Sequence, residues 1–559
     1  MKKILILLSI TIVFGEKFNP ELMNLGKRDN HYRVWIYFHD KIGSEMSPIS
    51  QRAKDRRAKS DVQSNHLWYD LEVSQIYIND ILELGITIEN ESRWLNAVSV
   101  VCKMSDIEKI AKLKSVKKIE PVIGYKKSKI EYAEDFLSNS RDFDYGNALA
   151  QIEQINVHEL HNAGYTGEGV IILVMDTGFN LTHNALANIN VIAQWDVINN
   201  DSETANETSA ETSNSQDYHG TAVLSTIAAY APGELIGVAF DAEFLLAKTE
   251  DVTQEVQQEE DNYIAGLEWG EANGADVVST SLGYLDWYTY EDMDGNTAVT
   301  TIGIDIAVGL GMVCVTAAGN EGNDQNWYYI IAPADADSVI AVGAVGENGV
   351  IASFSSHGPT FDGRIKPEVC ARGSYTWCIN PNSTTTYSQL SGTSLACPLV
   401  GGAVALIIQA QPGWSAMQVR EAILMTASQS SDPDNTYGYG IMDAASAVEY
   451  EQTTAIDDSK GIPNTFHITK TYPNPFNPSL TIDVSGLVGS YLTVDIFSLY
   501  GQSIANIYEG TLFQSSQRLT WVPENIPSGI YLLRSVLNDH VKFQKITFLM
   551  NGLILIMTI

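Results

Sequence analysis

Apolar positions change their period several times along the chain, and those changes divide it. His31–His39 alternates between apolar and polar side chains, the period of a half-buried strand. Arg52–Lys59 is charged and reads as a helix, and Ala97–Val101 reads as a second strand. Ser105–Leu113 places Ile107, Ile110 and Leu113 on one helical face, and Val116–Val122 closes a small α+β unit over 31–123. Residues 126–148 are polar, carry no strong period and read as a linker.

From Gly167 the alternation gives way to continuous apolar runs. Val170–Met175, Phe244–Lys248, Val277–Ser279, Val313–Thr316 and Val339–Val345 have the look of buried parallel strands. Helical segments lie among them at Ala222–Tyr230 and Tyr263–Asn273, with another at Ala403–Ala410. Strand and helix alternate, which predicts an α/β fold with a parallel sheet covered by helices on both faces. The polar, acidic stretch Asn199–Gln216 interrupts it and reads as a surface loop. After a polar linker at Glu451–Phe466, the segments Thr471–Val484, Leu492–Gln502 and Ser528–Val536 alternate between Gly-, Asn- and Pro-rich turns. They predict a β-sandwich of about 75 residues.

Length agrees with several domains: 559 residues exceed what one hydrophobic core holds. The boundaries expected are 28–125, a linker at 126–149, a central unit at 150–450, a linker at 451–468 and a terminal sandwich at 469–550. Ahead of them, residues 1–15 pair two lysines with a short apolar run and read as a secretory signal peptide. No other segment has the length of a transmembrane helix.

Charge is lopsided. Residues 1–130 hold 22 Lys and Arg against 16 Asp and Glu, whereas the remaining 429 hold 12 against 52. An acidic bulk argues against nucleic-acid binding. A basic N-terminal unit is attracted to that bulk and suits a segment that docks on it. Of five cysteines, Cys370 and Cys378 are spaced either to bridge a loop or to remain free thiols. Cys102, Cys314 and Cys397 sit among apolar neighbours and read as small core residues.

The chemistry gathers around Leu390–Gly402, LSGTSLACPLVGG, where Ser394 stands at the start of an apolar helix. Unpaired N–H groups and the helix dipole there favour developing negative charge. Asp176 ends the strand Val170–Met175, where open α/β sheets place their ligand sites. His219 opens the small-residue helix after Asp217 and Tyr218. Gly169–Gly178, His219–Ala229, Ala317–Asn320 and Gly392–Pro398 resemble, in order, the signatures of the subtilisin-like serine proteases. Gly363–Glu368 (GRIKPE) and Tyr437–Ala444 (YGYGIMDA) match as well.

The resemblance implies a serine endopeptidase acting on protein and peptide substrates. Its triad would be Asp176, His219 and Ser394, with Asn320 in the oxyanion hole. Ser281, Leu282 and Gly283 would line the substrate strand, and Ala317, Ala318 and Gly319 the facing wall. No cofactor is needed for that chemistry. Structural calcium is a family trait, but the acidic stretches Asp196–Asp217 and Glu250–Asp261 lack EF-hand-like spacing, and no metal ligand is assigned. Residues 31–123 resemble an inhibitor-type propeptide, cut off between Gly124 and Tyr145. The departures are Asn184 after His183, Leu399 where many relatives carry histidine, and Arg372 before Gly373. Tyr-Pro-Asn-Pro-Phe-Asn-Pro at 472–478 and Ser-Gly-Ile-Tyr at 528–531 resemble the sorting domain of bacterial type IX secretion. That implies export from a Gram-negative cell, with the protein released or held at its outer surface; a monomer is expected. The contrasting reading is an inactive surface adhesin on the same scaffold; an esterase would instead show Gly-x-Ser-x-Gly and a different residue order.

Overall fold

The computed structural model describes residues 17–122, 131–133, 143–450 and 467–548, apart from 20–22, 24–26, 29–30, 61–67, 253–259, 286–287 and several turns of the C-terminal unit. Residues 1–15, 473–479 and the tail 551–559 lie outside the described residues.

Seven parallel strands form the central sheet. Their order is Val369–Arg372, Ile340–Val345, Val313–Ala317, Val277–Thr280, Ile171–Asp176, Glu243–Lys248 and Asn190–Asp196. The inner strands are buried along their whole length, except at Glu243, which is why they appear as runs and not as alternation. The two edge strands escaped the sequence reading. Asn190–Asp196 is half exposed and mixed in polarity, and Val369–Arg372 is four residues long.

The register settles which helix covers which face. Ser279 pairs with Val174, so these two side chains share one face, while Leu173 and Met175 share the other. Gly401 of helix Thr393–Ala410 lies against Ser279, where an added Cβ would sit 2.9 Å from its Oγ. Gly270 of helix Glu260–Asn273 lies against Leu173, leaving no room for a Cβ. The two helices therefore cover opposite faces. Thr393–Ala410 is also apolar and long enough to cross a membrane, but 83% of that window is buried inside the protein. Its apolarity belongs to the core.

The N-terminal unit has an antiparallel sheet in which His31–Phe38 lies between Ala97–Cys102 and Val116–Pro121, with Ile88–Ser92 outside Ala97–Cys102. Its own core joins Val34, Ile36, Ile78, Ile81, Val98 and Ile107. The C-terminal unit has two antiparallel sheets, of three and four strands, around Leu480, Ile482, Val494, Ile496, Leu533 and Ile546.

The structure departs from two expectations and decides a third point that the sequence leaves open. The stretch Asn199–Gln216 is not a plain surface loop: helix Ser209–Asn214 is closed by a capping box between Thr208 and Glu211, and Thr204, Glu211 and Gln216 are buried. Cys370 and Cys378 do not bridge; both are free and buried. They lie in different sheets, one sulfur facing Tyr437 O and the other Ser388 O. Finally, the segment read as a linker is partly structured. Glu131–Ala133 forms a strand, and Tyr145 and Ala148 are buried in the peptidase core.

Candidate active site

Every expected site residue sits at or near the carboxyl end of the parallel sheet. Asp176 is the last residue of its strand and is fully buried. Helix Tyr218–Ala228 brings His219 to it, with Nδ1 of His219 2.7 Å from Oδ1 of Asp176. The same oxygen accepts from the N–H of Thr177 at 2.7 Å and from its hydroxyl at 3.2 Å. Facing this buried carboxylate, Nδ1 carries the proton and Nε2 is left as the acceptor. Gly220 makes the approach possible: a Cβ there would lie 2.9 Å from Cβ of Asp176 and would overlap the carbonyl of Gly178.

Ser394 lies in the first turn of helix Thr393–Ala410 and is 2% exposed. Its Oγ lies 3.5 Å from the carbonyl of Ser281, and Ser281 donates its own hydroxyl to the carbonyl of Ser394 at 2.9 Å. Leu395 packs with Ala222 and Tyr218, so the residues flanking Ser394 and His219 rest on one another. Asn320 follows the strand Val313–Ala317. Its Oδ1 accepts from the N–H of Thr393 at 2.8 Å and from the Thr393 hydroxyl at 3.0 Å. Those bonds fix the amide's orientation, and Nδ2 lies beside Gly392, 3.6 Å from where a Cβ there would sit.

Comparisons with protein-family models and with known proteins both find matches. Residues 167–440 match the Subtilase family, residues 33–135 the Peptidase S8 propeptide domain of Bacteroidota, and residues 470–548 the secretion system C-terminal sorting domain. The chain is 32% identical over 374 residues to subtilisin E of Bacillus subtilis (strain 168), covering 66% of this chain and 85% of that protein. It is 35% identical over 301 residues to a subtilisin of Bacillus pumilus, covering 53% and 98%. An alkaline protease of Alkalihalobacillus alcalophilus is 30% identical over 383 residues, covering 67% and 87%. The chain belongs to the subtilase family. It is a serine-type endopeptidase with a propeptide domain and a secretion sorting tail, and so a secreted or cell-surface protein.

In this subtilase Ser281, Leu282 and Gly283 continue from the strand Val277–Thr280, and Ala317, Ala318 and Gly319 from the neighbouring strand. All but the glycines are at least 95% buried from solvent by their surroundings, with exposures of 2%, 1%, 5% and 0% for Ser281, Leu282, Ala317 and Ala318. Gly319 has φ +113°, and a Cβ there would sit 2.7 Å from Oγ of Ser356. The departures from the family pattern fall on none of Asp176, His219, Asn320 and Ser394. Leu399 is buried in the core, Arg372 pairs with Glu347 at 3.0 Å, and His183 faces the carbonyl of Thr386 at 3.1 Å.

Two residues of the site escaped the sequence reading. Thr393 is one, and Gln216 is the other. Gln216 is buried and donates its amide to the carbonyls of Thr177 and Glu250, while its Oε1 accepts from the N–H of Val252 at 2.8 Å. It ties the residue after Asp176 to the segment that follows the strand Glu243–Lys248. A buried Gln inside a low-complexity stretch gives no local signal.

A calcium ion does not fit the acidic group the described residues offer, Asp196, Asp201 and Glu207. Asp196 already accepts from the N–H groups of Ile198 and Asn199 and from the side chains of Asn199 and Lys248. Lys248 is fully buried and also pairs with Glu211, so an ammonium supplies the positive charge there.

The propeptide unit docks on helix Glu260–Asn273 through buried ion pairs. Arg33 meets Asp261 at 2.7 Å, Arg93 meets Glu268 at 3.3 Å, and Arg56 and Arg57 converge on Glu271. Burial alone would raise the carboxyl of Glu271; the charges of Arg56 and Arg57 outweigh it and hold it below its ordinary value.

Proposed function

We propose that the chain is a self-processing zymogen whose mature form hydrolyses protein peptide bonds with Ser394 as nucleophile. The observation that carries this reading is the 2.7 Å contact of His219 with the fully buried Asp176, beside the start of the serine helix. Ser394 Oγ attacks the substrate carbonyl carbon. His219 takes its proton through Nε2 and returns it to the leaving amine, and Asp176 holds the tautomer and stabilises the imidazolium. The oxyanion is met by Nδ2 of Asn320 and the N–H of Ser394, donors fixed before the reaction begins. An extended substrate pairs with Ser281–Gly283 and slides its side chain toward Ala317–Gly319.

The arginine contacts support the zymogen reading. They place the basic N-terminal unit on the acidic peptidase unit, where it serves as chaperone and inhibitor until it is cut away from the 150–450 unit. The sorting tail passes the protein to the type IX machinery, and the enzyme is released or attached at the outer surface. It acts as a monomer and needs no cofactor for the chemistry.

A fluorophosphonate probe tests the assignment. After labelling of the mature enzyme and digestion, the adduct is expected on the peptide that contains Ser394. An active enzyme labelled elsewhere removes the assignment.

A further inference from the structure

The two segments read as walls of the substrate cleft each end in a glycine. Ser281–Gly283 continues the strand Val277–Thr280, and Ala317–Gly319 runs on from Val313–Ala317. At Gly283 and Gly319 the walls are bare backbone, which by itself would leave room for a large side chain between them. The segment Ile330–Ala332 crosses that gap. The N–H of Ile331 donates to the carbonyl of Ala318 at 3.2 Å, and the N–H of Tyr284 donates to the carbonyl of Ala332 at 2.8 Å. Adjacent residues of one segment are thus bonded to both walls.

The side chain of Ile331 stands in the gap. Its Cδ1 lies 2.2 Å from where a Cβ on Gly283 would sit, and its Cγ1 lies 2.7 Å from that point. On the other side, Cδ1 and Cγ1 lie 3.3 and 3.1 Å from where a Cβ on Gly319 would sit. One aliphatic side chain therefore lies against both glycines, and the width they release is taken up before a substrate arrives. Ile331 is 6% exposed, so little opening is left above it. Its position is held. The β-branch restricts χ1, and the carbonyl of Ile331 accepts from the N–H of Ala334 at 2.8 Å. The far wall is held as well: the N–H of Ser356 donates to the carbonyl of Gly319 at 3.0 Å, and Oγ of Ser356 accepts from the N–H of Glu321 at 3.0 Å.

We propose that Ile331 is the floor under the side chain that precedes the cut bond, and that it confines this enzyme to cutting after small residues such as alanine and serine, against leucine and phenylalanine. The cleft itself belongs to the protease reading, on which this inference rests; the isoleucine sets its depth. A methyl or hydroxymethyl group fits between two glycine backbones without displacing Ile331. A phenyl ring needs the volume that Cγ1 and Cδ1 of Ile331 occupy, and forcing it in would push apart walls that backbone hydrogen bonds hold together. The reaction at Ser394 is the same for either side chain, so the discrimination is one of fit. A difference of one methylene in such a pocket is worth about 10- to 200-fold in kcat/KM.

The test uses the mature enzyme and quenched peptides that differ only in the residue before the cut: alanine, serine, leucine or phenylalanine. The position of each cut is confirmed by mass. The wild type is expected to favour alanine over phenylalanine by about tenfold or more in kcat/KM. In Ile331→Ala the ratio of phenylalanine to alanine should rise about 10- to 200-fold, and in Ile331→Val, which loses Cδ1, by a smaller factor. A wild type that cuts after phenylalanine or leucine as readily as after alanine overturns the proposal and leaves the protease reading in place. So does an unchanged ratio in an Ile331→Ala enzyme that still takes the fluorophosphonate. Should Ile331→Ala fail to fold, the wild-type ratio and Ile331→Val decide the matter. An enzyme that neither takes the fluorophosphonate nor cuts any of the peptides removes both readings.

Discussion

Removing one carboxylate from the peptidase unit is expected to loosen the propeptide without touching catalysis. Glu271 receives Arg57 through Nε and Nη2, both at 2.9 Å, and also receives Arg56. Arg57 is fully buried and keeps a second carboxylate, Asp70, through two bonds of 2.9 Å. Arg56 has a weaker reserve: its side chain is 4% exposed, and without Glu271 its guanidinium keeps hydrogen bonds to the carbonyls of Ala275 and Leu310 and the more distant charge of Asp276. Taking one partner from a buried ion pair costs about 3–5 kcal/mol, because the other charge stays buried. In Glu271→Ala the inhibition constant of the released propeptide should therefore rise about 150- to 5,000-fold. Glu271→Gln keeps an acceptor and should fall short of that. Because the pair is buried, moderate salt should change the difference little. The assay is inhibition of the mature enzyme by its own propeptide, with kcat/KM on a short peptide as the control. An inhibition constant within about fivefold of wild type, or an equal loss in the control, refutes the reasoning.

Thr393→Val removes the hydroxyl that holds Asn320 Oδ1; kcat is expected to fall about 10- to 100-fold with KM nearly unchanged, and Thr393→Ser to recover most of it. Steady-state kinetics of the three forms decides this. Asp305 is pushed up from its ordinary 3.8 to about 6 by burial, with Asp337 adding to it. The folded chain thus binds this proton more tightly than the unfolded chain, and stability is lost as pH rises from about 4 to about 6. Asp305→Asn should gain up to about 3 kcal/mol at pH 7.5 and nothing at pH 4, read from unfolding of the Ser394→Ala precursor at both pH values. Equal shifts at the two would count against it. Lys248→Met leaves Asp196 and Glu211 buried without their cation and should cost about 3–5 kcal/mol in the same unfolding assay.

The residues proposed for catalysis stand out because each sits in a short local motif whose neighbours are small: Gly178 after Asp176, Gly220 after His219, Gly392 before Ser394. Local crowding demands Gly178 and Gly220, so the sequence carries the trace. The inner strands were legible for a similar reason, since burial on both faces leaves unbroken apolar runs. What could not be read depends on partners far away in the chain. Thr393 looks like any threonine until Asn320 is beside it. The arginines at 33, 56, 57 and 93 were visible only as net charge; their carboxylates lie about 170 to 230 residues later. The strand Ile88–Ser92 was missed because its residues are mostly polar, and its place is secured by packing on helix Glu260–Asn273. Likewise, Glu131–Ala133 has no strand period of its own and takes its form from the edge of Tyr387–Ser391 that it covers.

Intact mass of two precursors, wild type and Ser394→Ala, tests the central claim most directly, with casein digestion read alongside. The account predicts that the wild type sheds its N-terminal unit and digests casein, while Ser394→Ala stays full length until wild-type enzyme is added to cut it, and stays inactive itself even after that cut. If Ser394→Ala processes itself and digests casein as the wild type does, Ser394 is not the nucleophile and the account fails.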